Sequence, residues 1–266
     1  MDTSYSIIIP CYNAVDTIKE TVKCILIEMA DVGVPFEIII VDDGSNDGTP
    51  PILDEMQSRN CNITVYSKNN GGVSSARNFG LQFAKYQYVW YFDADDLIFK
   101  GSVQEINNLI AEYNPDILQV SSVTVDRRTK HNIDNYNNTH SYNILYSGKY
   151  SEYLRNHTVC LACWGQIVKR EILVNKQVLF DEQLAFFEDF AWSLNLANEA
   201  ASCNYILTDL QVVKYMLRAD SAINSTNSKT NRKLLESIFE FDSYLNSLAS
   251  KVGLDSCLSY SIAEFK

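Results

Sequence analysis

The chain has 266 residues, 46% of them hydrophobic and 21% charged, which is ordinary globular composition and enough length for one large domain or two small ones. A net charge of −11 argues against nucleic acid as a partner, because a polyanion-binding face must be basic. No run approaches the ~18 uninterrupted apolar residues of a membrane span, and MDTSYSIIIP has no basic region ahead of its apolar run, so neither a transmembrane segment nor a signal peptide is expected.

In chain order, residues 6–9 read as a short strand ended by Pro10, and Ile18, Val22, Ile25 and Leu26 follow at helical spacing. Residues 36–41 form a β-branched run, as in a strand buried on both faces. After the turn-rich residues 42–48, Thr49-Pro50 reads as an N-cap and first helical position, with Ile52, Leu53 and Met56 behind it. Residues 63–66 are a strand, Gly71-Gly72 opens a helix carrying Ala76, Phe79 and Phe83, and residues 88–92 are the next strand. Ser102 to Glu105 has the form of a capping box, Pro115 stops the helix it begins, and 117–125 is strand-like. Strand and helix thus alternate, the signature of a parallel sheet with helices on both faces, in which ligands bind at the carboxyl ends of the strands. The polar clusters at 10–13, 42–47, 69–72 and 93–96 each follow a strand and should converge on one edge.

Residues 126–147 are polar and asparagine-rich and read as a flexible or hairpin-like insertion. Helical stretches are expected near 149–155 and 189–199, and strands near 203–207 and 211–217. From Leu234 onward, Ile238, Phe241, Leu245, Leu248 and Val252 make a heptad-like seam, which docks on its own domain, self-associates or meets a membrane. The seven cysteines are scattered, with Cys160 and Cys163 the one close pair and no partner pair for zinc, so they read as reduced thiols of a cytosolic protein.

Three stretches carry chemistry. VDDGSNDGT mimics the start of a calcium-binding loop, but a strand precedes it and Pro50-Pro51 interrupt it, leaving a solvated turn or a loop whose Asp accepts a hydrogen bond from a ligand. In YFDADDLI, three carboxylates end a buried strand and need compensation. Leu97 stands where phosphatases with a similar acidic loop carry Thr or Val, which leaves bland surface acid or a hard divalent cation, Mg²⁺ or Mn²⁺, shared with ligand phosphates. In FFEDFAWSL, Glu188-Asp189 suits a helix start, and a carboxylate beside aromatic rings can also be raised toward a general-base range.

Taken in order, SIIIPCYN, IIIVDDGSNDGT, NNGGVSSARNFG, YFDADDLI and FFEDFAW resemble the family 2 inverting glycosyltransferases with the GT-A fold, of the bacterial type that builds surface polysaccharides. The resemblance covers roughly residues 4–225. It implies an α/β fold with a mostly parallel sheet, helices on both faces and a C-terminal helical tail. The expected divisions are a nucleotide-sugar-binding half over 1–125, an acceptor-binding half over 126–226 and an amphipathic tail over 227–266, through which homo-oligomers could form.

The resemblance also implies a nucleotide-diphosphate-sugar donor, most often UDP-linked, and a saccharide or lipid-linked saccharide acceptor. Pro10, Tyr12, Asp42 and Asp43 would surround the nucleoside, Gly72 would let the donor approach the backbone, and Arg77 would contact the base side. Asp93 and Asp95 would face the ribose and a Mn²⁺ or Mg²⁺ ion, with the role of Asp96 left open. Asp189 would be the catalytic base, with Trp164 and Glu188 on the acceptor side. Tyr215, Arg218 and Ser221 match a donor-phosphate pattern in part, and Gln166 stands where the family commonly has Lys. The expected location is cytoplasmic, at or near the inner membrane face. The rivals are another metal-dependent nucleotide-using transferase, such as a nucleotidyltransferase, and a sugar-binding module; PCYNAVD lacks the basic residue the first requires, and the second would be expected to lack Asp95 or Asp189.

Overall fold

The structure, a computed structural model, describes residues 3–126, 141–157, 162–217 and 238–247. The elements are β1 (Tyr5–Cys11), α1 (Ile18–Val32), β2 (Phe36–Asp42), α2 (Thr49–Arg59), β3 (Ile63–Ser67), α3 (Val73–Leu81), β4 (Tyr88–Tyr91), β5 (Leu97–Ile98), α4 (Ser102–Tyr113), β6 (Ile117–Asp126), β7 (Ile144–Lys149), α5 (Tyr150–Leu154), a 3-10 turn (Cys163–Gly165), β8 (Gln166–Lys169), α6 (Arg170–Asn175), α7 (Glu188–Glu199) and β9 (Asn204–Leu217). A further helix, α8, covers 238–247. The strands form one sheet in the order β3-β2-β1-β4-β8-β6-β9-β5, with β7 paired to β9.

The expected α/β fold is present, and β3, β2, β1 and β4 are parallel neighbours. Side chains alternate across the sheet with period two. Ile7, Ile9, Ile38 and Ile40 face α1 and α4, while Ile8, Ile39 and Val41 face α3 and α7, so the unbroken apolar runs fill two layers. The second half of the sheet is more mixed than expected. The antiparallel β8 separates β4 from β6, so 117–125 does not extend the parallel array directly. The two strands expected near 203–207 and 211–217 are one strand, β9, whose pairing to β6 shifts register between Gln119 and Ser122. Residues 144–147, assigned to the insertion, belong to strand β7, which also takes Lys149 from the helix expected near 149–155; residues 127–140 lie outside the described residues.

Two helix starts also differ from expectation. Gly101, at φ 79°, is the N-cap of α4, and the Ser102 hydroxyl donates to the Phe99 carbonyl at 2.7 Å, so Ser102–Glu105 is not a capping box. At α2 the N-cap is Gly48; Asp47 Oδ1 accepts the Thr49 N–H at 2.9 Å, while the Thr49 hydroxyl accepts the Ala14 N–H at 2.8 Å.

Two residues of β1 and α3 shape the edge where the loops meet. Pairing of β1 to β4 ends at Ile8↔Tyr91, and the Ile8 carbonyl accepts the Phe92 N–H at 2.9 Å. Residue 10 points the same way as residue 8, and Pro10 has no N–H to give, so the ladder stops there and the chain after β4 turns off as the DADD loop. Gly80 lets α3 lie close on β1, because a Cβ there would sit 2.5 Å from Ile8 Cγ2 and 3.2 Å from Val41 Cγ2. Gly80→Ala should therefore lower unfolding free energy by about 1–2 kcal/mol, overpacking outweighing the gain in helix propensity. A denaturant melt equal to or above wild type would show that α3 can move away without cost.

Candidate active site

The expected convergence is largely present: a cleft of about 810 Å³ opens at the carboxyl edge of β1 and β4. Pro10 and Tyr12 line one wall, Asp93, Ala94 and Asp95 follow from the loop after β4, and Glu188 and Asp189 face them from the first turn of α7. Trp164 and Tyr215 close another side, their rings stacked with centroids 6.1 Å apart; the Trp164 carbonyl is held by the Trp90 indole N–H at 2.7 Å. Thus Pro10, Tyr12, Arg77, Asp93, Asp95, Trp164, Glu188, Asp189 and Tyr215 share one site, while Arg218 and Ser221 lie outside the described residues.

Asp42, Asp43 and Gly72 do not line this cleft, and within the protein their groups make structural contacts. The buried Asp43 carboxylate accepts the N–H groups of Gly71 (3.0 Å) and Gly72 (2.7 Å) and pairs with Lys68 Nζ at 2.7 Å. Asp42 Oδ1 accepts the Ser45 N–H at 3.0 Å. The same turn braces the loop after β1, with the Asn13 N–H donated to Ser45 Oγ and the Asn46 N–H to Asn13 Oδ1, both at 2.9 Å. These carboxylates organise the loops behind the cleft wall, and Gly72, at φ 89°, supplies the backbone that α3 needs to start over Asp43.

The centre of the site is Arg77. Its side chain is 2% exposed and lies over the Phe180 ring, 5.0 Å from the centroid. Nη1 donates to Asp189 Oδ1 at 2.7 Å and to Glu188 Oε1 at 3.4 Å, and Nη2 donates to Asp93 Oδ1 at 2.9 Å. The guanidinium is shared by three carboxylates, one from the loop after β4 and two from the first turn of α7. It also compensates part of the DADD charge by itself. The buried Asp96 is turned away, with Oδ1 accepting the Met216 N–H at 2.9 Å, and is not part of the cleft lining.

Burial pushes Glu188 up to about 7, the adjacent Asp189 adds to the shift and Arg77 opposes it. Burial likewise raises Asp189, against Arg77 and a hydrogen bond from the Cys163 thiol. Burial holds that thiol protonated and therefore a donor. The Tyr215 hydroxyl is raised by burial and by Asp96, Asp93, Asp95 and Asp189, so it too is a donor facing the cleft. Sequence reasoning missed Cys163; its only signal was a Cys beside the motif Trp. Gln166 is buried and its amide donates to Ser193 Oγ at 3.0 Å, bracing α7 from below.

The raised Glu188 makes a stability prediction. Folded Glu188 keeps its proton to about pH 7, whereas the unfolded chain releases it near about 4.3, so the folded state binds more protons between them and stability falls as pH rises through that window. Glu188→Gln removes this loss. The variant should melt higher than wild type at about pH 8 and level with it at about pH 4; equal melting at both would show that Glu188 is not strained by burial.

Asp93 and Asp95 offer hard oxygen donors at the cleft, the type that holds Mg²⁺ or Mn²⁺. Among the described residues, no three His, Cys, Asp or Glu side chains are grouped to enclose an ion. The donor set therefore fits an ion that takes one or two carboxylates and fills its remaining positions from ligand phosphates.

Residues 6–174 match the family model described as glycosyl transferase family 2. The chain is 31% identical over 176 residues to the minor teichoic acid biosynthesis protein GgaB of Bacillus subtilis, covering 64% of this chain but 19% of that protein. It is 24% identical over 253 residues to the cholesterol galactosyltransferase of Borreliella burgdorferi, covering 91% of this chain and 69% of the relative. In fold it resembles S. aureus TarS 1-349, solved in complex with UDP-GlcNAc, with a TM-score of 0.73 at 21% identity over 99% of this chain and 70% of that one. Family match, sheet order and cleft agree that this chain belongs to glycosyl transferase family 2.

Proposed function

We infer that the chain moves a sugar from a nucleotide-diphosphate donor, UDP-linked, to an acceptor hydroxyl with inversion, in the synthesis of a cell-surface polysaccharide. The observation that carries this reading is the placing of Asp93 and Asp95 opposite Glu188 and Asp189 in one cleft, with Arg77 bonded to both sides. The place of GgaB in minor teichoic acid biosynthesis and the UDP-GlcNAc bound by TarS support the class of product and donor.

The half-exposed Tyr12 and the buried Pro10 would flank the nucleoside, with the Asp42 and Asp43 loops behind them. Asp95, with Asp93 beside it, would hold a Mn²⁺ or Mg²⁺ ion that supplies positive charge to the departing diphosphate. The Tyr215 hydroxyl is a proton-bearing donor on the same side. Asp189 would take the proton of the acceptor hydroxyl, and its raised proton affinity suits a base working near neutral pH. Attack from the face opposite the diphosphate inverts the anomeric centre in one displacement. Trp164 and Glu188 would contact a saccharide or lipid-linked saccharide acceptor. No helix among the described residues is long and apolar enough to cross a membrane; a cytoplasmic protein that meets lipid-linked acceptors peripherally, at the inner membrane face, is the corresponding proposal.

Calorimetry tests the donor site. UDP should bind at least about tenfold more tightly with Mn²⁺ than with EDTA, a difference of about 1.4 kcal/mol. Asp95→Ala should abolish that gain while keeping the fold. Equal UDP affinity in EDTA and Mn²⁺ for the wild-type protein would remove the ion from the reading.

A further inference from the structure

The first turn of α7 carries two of the cleft's carboxylates, Glu188 and Asp189, yet its own cap is poor. Phe187 stands at the N-cap in the left-handed region, at φ 64°, and makes no side-chain cap hydrogen bond. A residue with a Cβ stays there only when its surroundings hold it. Those surroundings include α8. The Phe241 ring stacks on Phe187, with centroids 5.4 Å and planes 19° apart, and meets Phe190 edge-on at 6.1 Å and 83°. One turn later the Tyr244 hydroxyl donates to the Ala191 carbonyl at 2.9 Å, and Leu245 is buried beside it. The gripped residues 187, 190 and 191 bracket Glu188 and Asp189 on both sides.

The geometry points to α8 as a clamp that sets the catalytic turn: Phe241 and Tyr244 are positioning residues for Asp189. They act through Phe187, Phe190 and Ala191, and what they fix is the 2.7 Å bond between Asp189 and Arg77, hence the place of the carboxylate in the cleft. This rests on the reading of Asp189 as the base. The donor wall, by contrast, is built by Pro10, Tyr12, Asp93 and Asp95 from the loops after β1 and β4. Loosening α8 should therefore lower kcat and leave donor binding alone.

The test compares Phe241→Ala, Phe241→Leu and Tyr244→Phe with Asp189→Asn, measuring kcat, donor KM, UDP affinity and Tm. The stoichiometry of UDP binding gives the folded fraction, so kcat is expressed per folded molecule. A displaced catalytic group costs up to about 100-fold, so Phe241→Ala is expected to lose about 10- to 100-fold in kcat, Phe241→Leu less, and Tyr244→Phe several-fold, at unchanged UDP affinity. If Phe241→Ala is not recovered folded, the Leu variant and Tyr244→Phe, which removes only a hydroxyl, decide. A purely structural helix gives lower Tm with kcat per folded molecule unchanged, and that result overturns the clamp. Asp189→Asn separates the two levels: if it loses rate while the α8 variants do not, the clamp alone fails, and if it keeps its rate, the base reading fails and takes the clamp with it.

Discussion

Asp189→Asn is expected to slow sugar transfer by about 10²- to 10⁴-fold, the range for loss of a positioned general base, while the melting temperature stays near wild type. Asn is nearly isosteric, and its Oδ1 can still accept the Arg77 Nη1–H that Asp189 Oδ1 accepts at 2.7 Å. What it cannot do is take a proton from the acceptor. A role for Asp189 in capping α7 is an inadequate alternative, because the N-cap is Phe187 and no side-chain cap hydrogen bond is made. UDP affinity should hardly change, since the donor carboxylates belong to the loop after β4. Glu188→Gln should cost less rate: Glu188 is the more distant of the two from Arg77, at 3.4 Å against 2.7 Å, and is assigned to the acceptor side. Steady-state rates for the two variants decide the matter, and an Asp189→Asn enzyme with wild-type turnover would remove Asp189 from the chemistry.

Arg77→Met is the substitution expected to cost most stability, about 3–5 kcal/mol by the usual cost of breaking a buried ion pair. The guanidinium is 2% exposed and is the partner of Asp93, Glu188 and Asp189, which would be left facing one another. Those three side chains keep 17–25% of their surface exposed to the cleft, which places the loss toward the lower end. The deficit should grow with pH as Glu188 and Asp189, both raised by burial, ionise, so urea melts at about pH 5 and about pH 8 should differ more from wild type at the higher pH. Arg77→Lys keeps a charge but not the fork that reaches two loops at once, and should recover stability in part and rate hardly at all. A deficit independent of pH would show that packing on Phe180, and not the three carboxylates, is what Arg77 contributes.

The sequence carried the framework of the site because its signals are local. A β-branched run, a helix start and a polar cluster recur within a few residues, and parallel-sheet topology brings the loop ends together. What failed were relations between distant residues. Arg77 meets Glu188 and Asp189 across separations of 111 and 112 residues, so its place as a pin between the loop after β4 and the start of α7 left no local signal. Asp43 is similar: nothing in its own turn foretells the Gly71 and Gly72 N–H groups, 28 and 29 residues on, that its carboxylate accepts. The strand β8 escaped because four residues, two of them Gln166 and Lys169, give no usable periodicity, yet it separates β4 from β6 in the sheet. In the heptad-like tail, Phe241 and Leu245 dock on α7 of their own chain and Ile238 is exposed, while Leu234, Leu248 and Val252 lie outside the described residues.

The proposed reaction is a single displacement at the anomeric carbon from the face opposite the diphosphate. Water can replace the unknown acceptor, so slow hydrolysis of an α-linked UDP-sugar, followed by proton NMR before the free sugar equilibrates, reports the face of attack directly. The β-anomer is expected to appear first, and Asp189→Asn to suppress its formation; the α-anomer appearing first would contradict inversion.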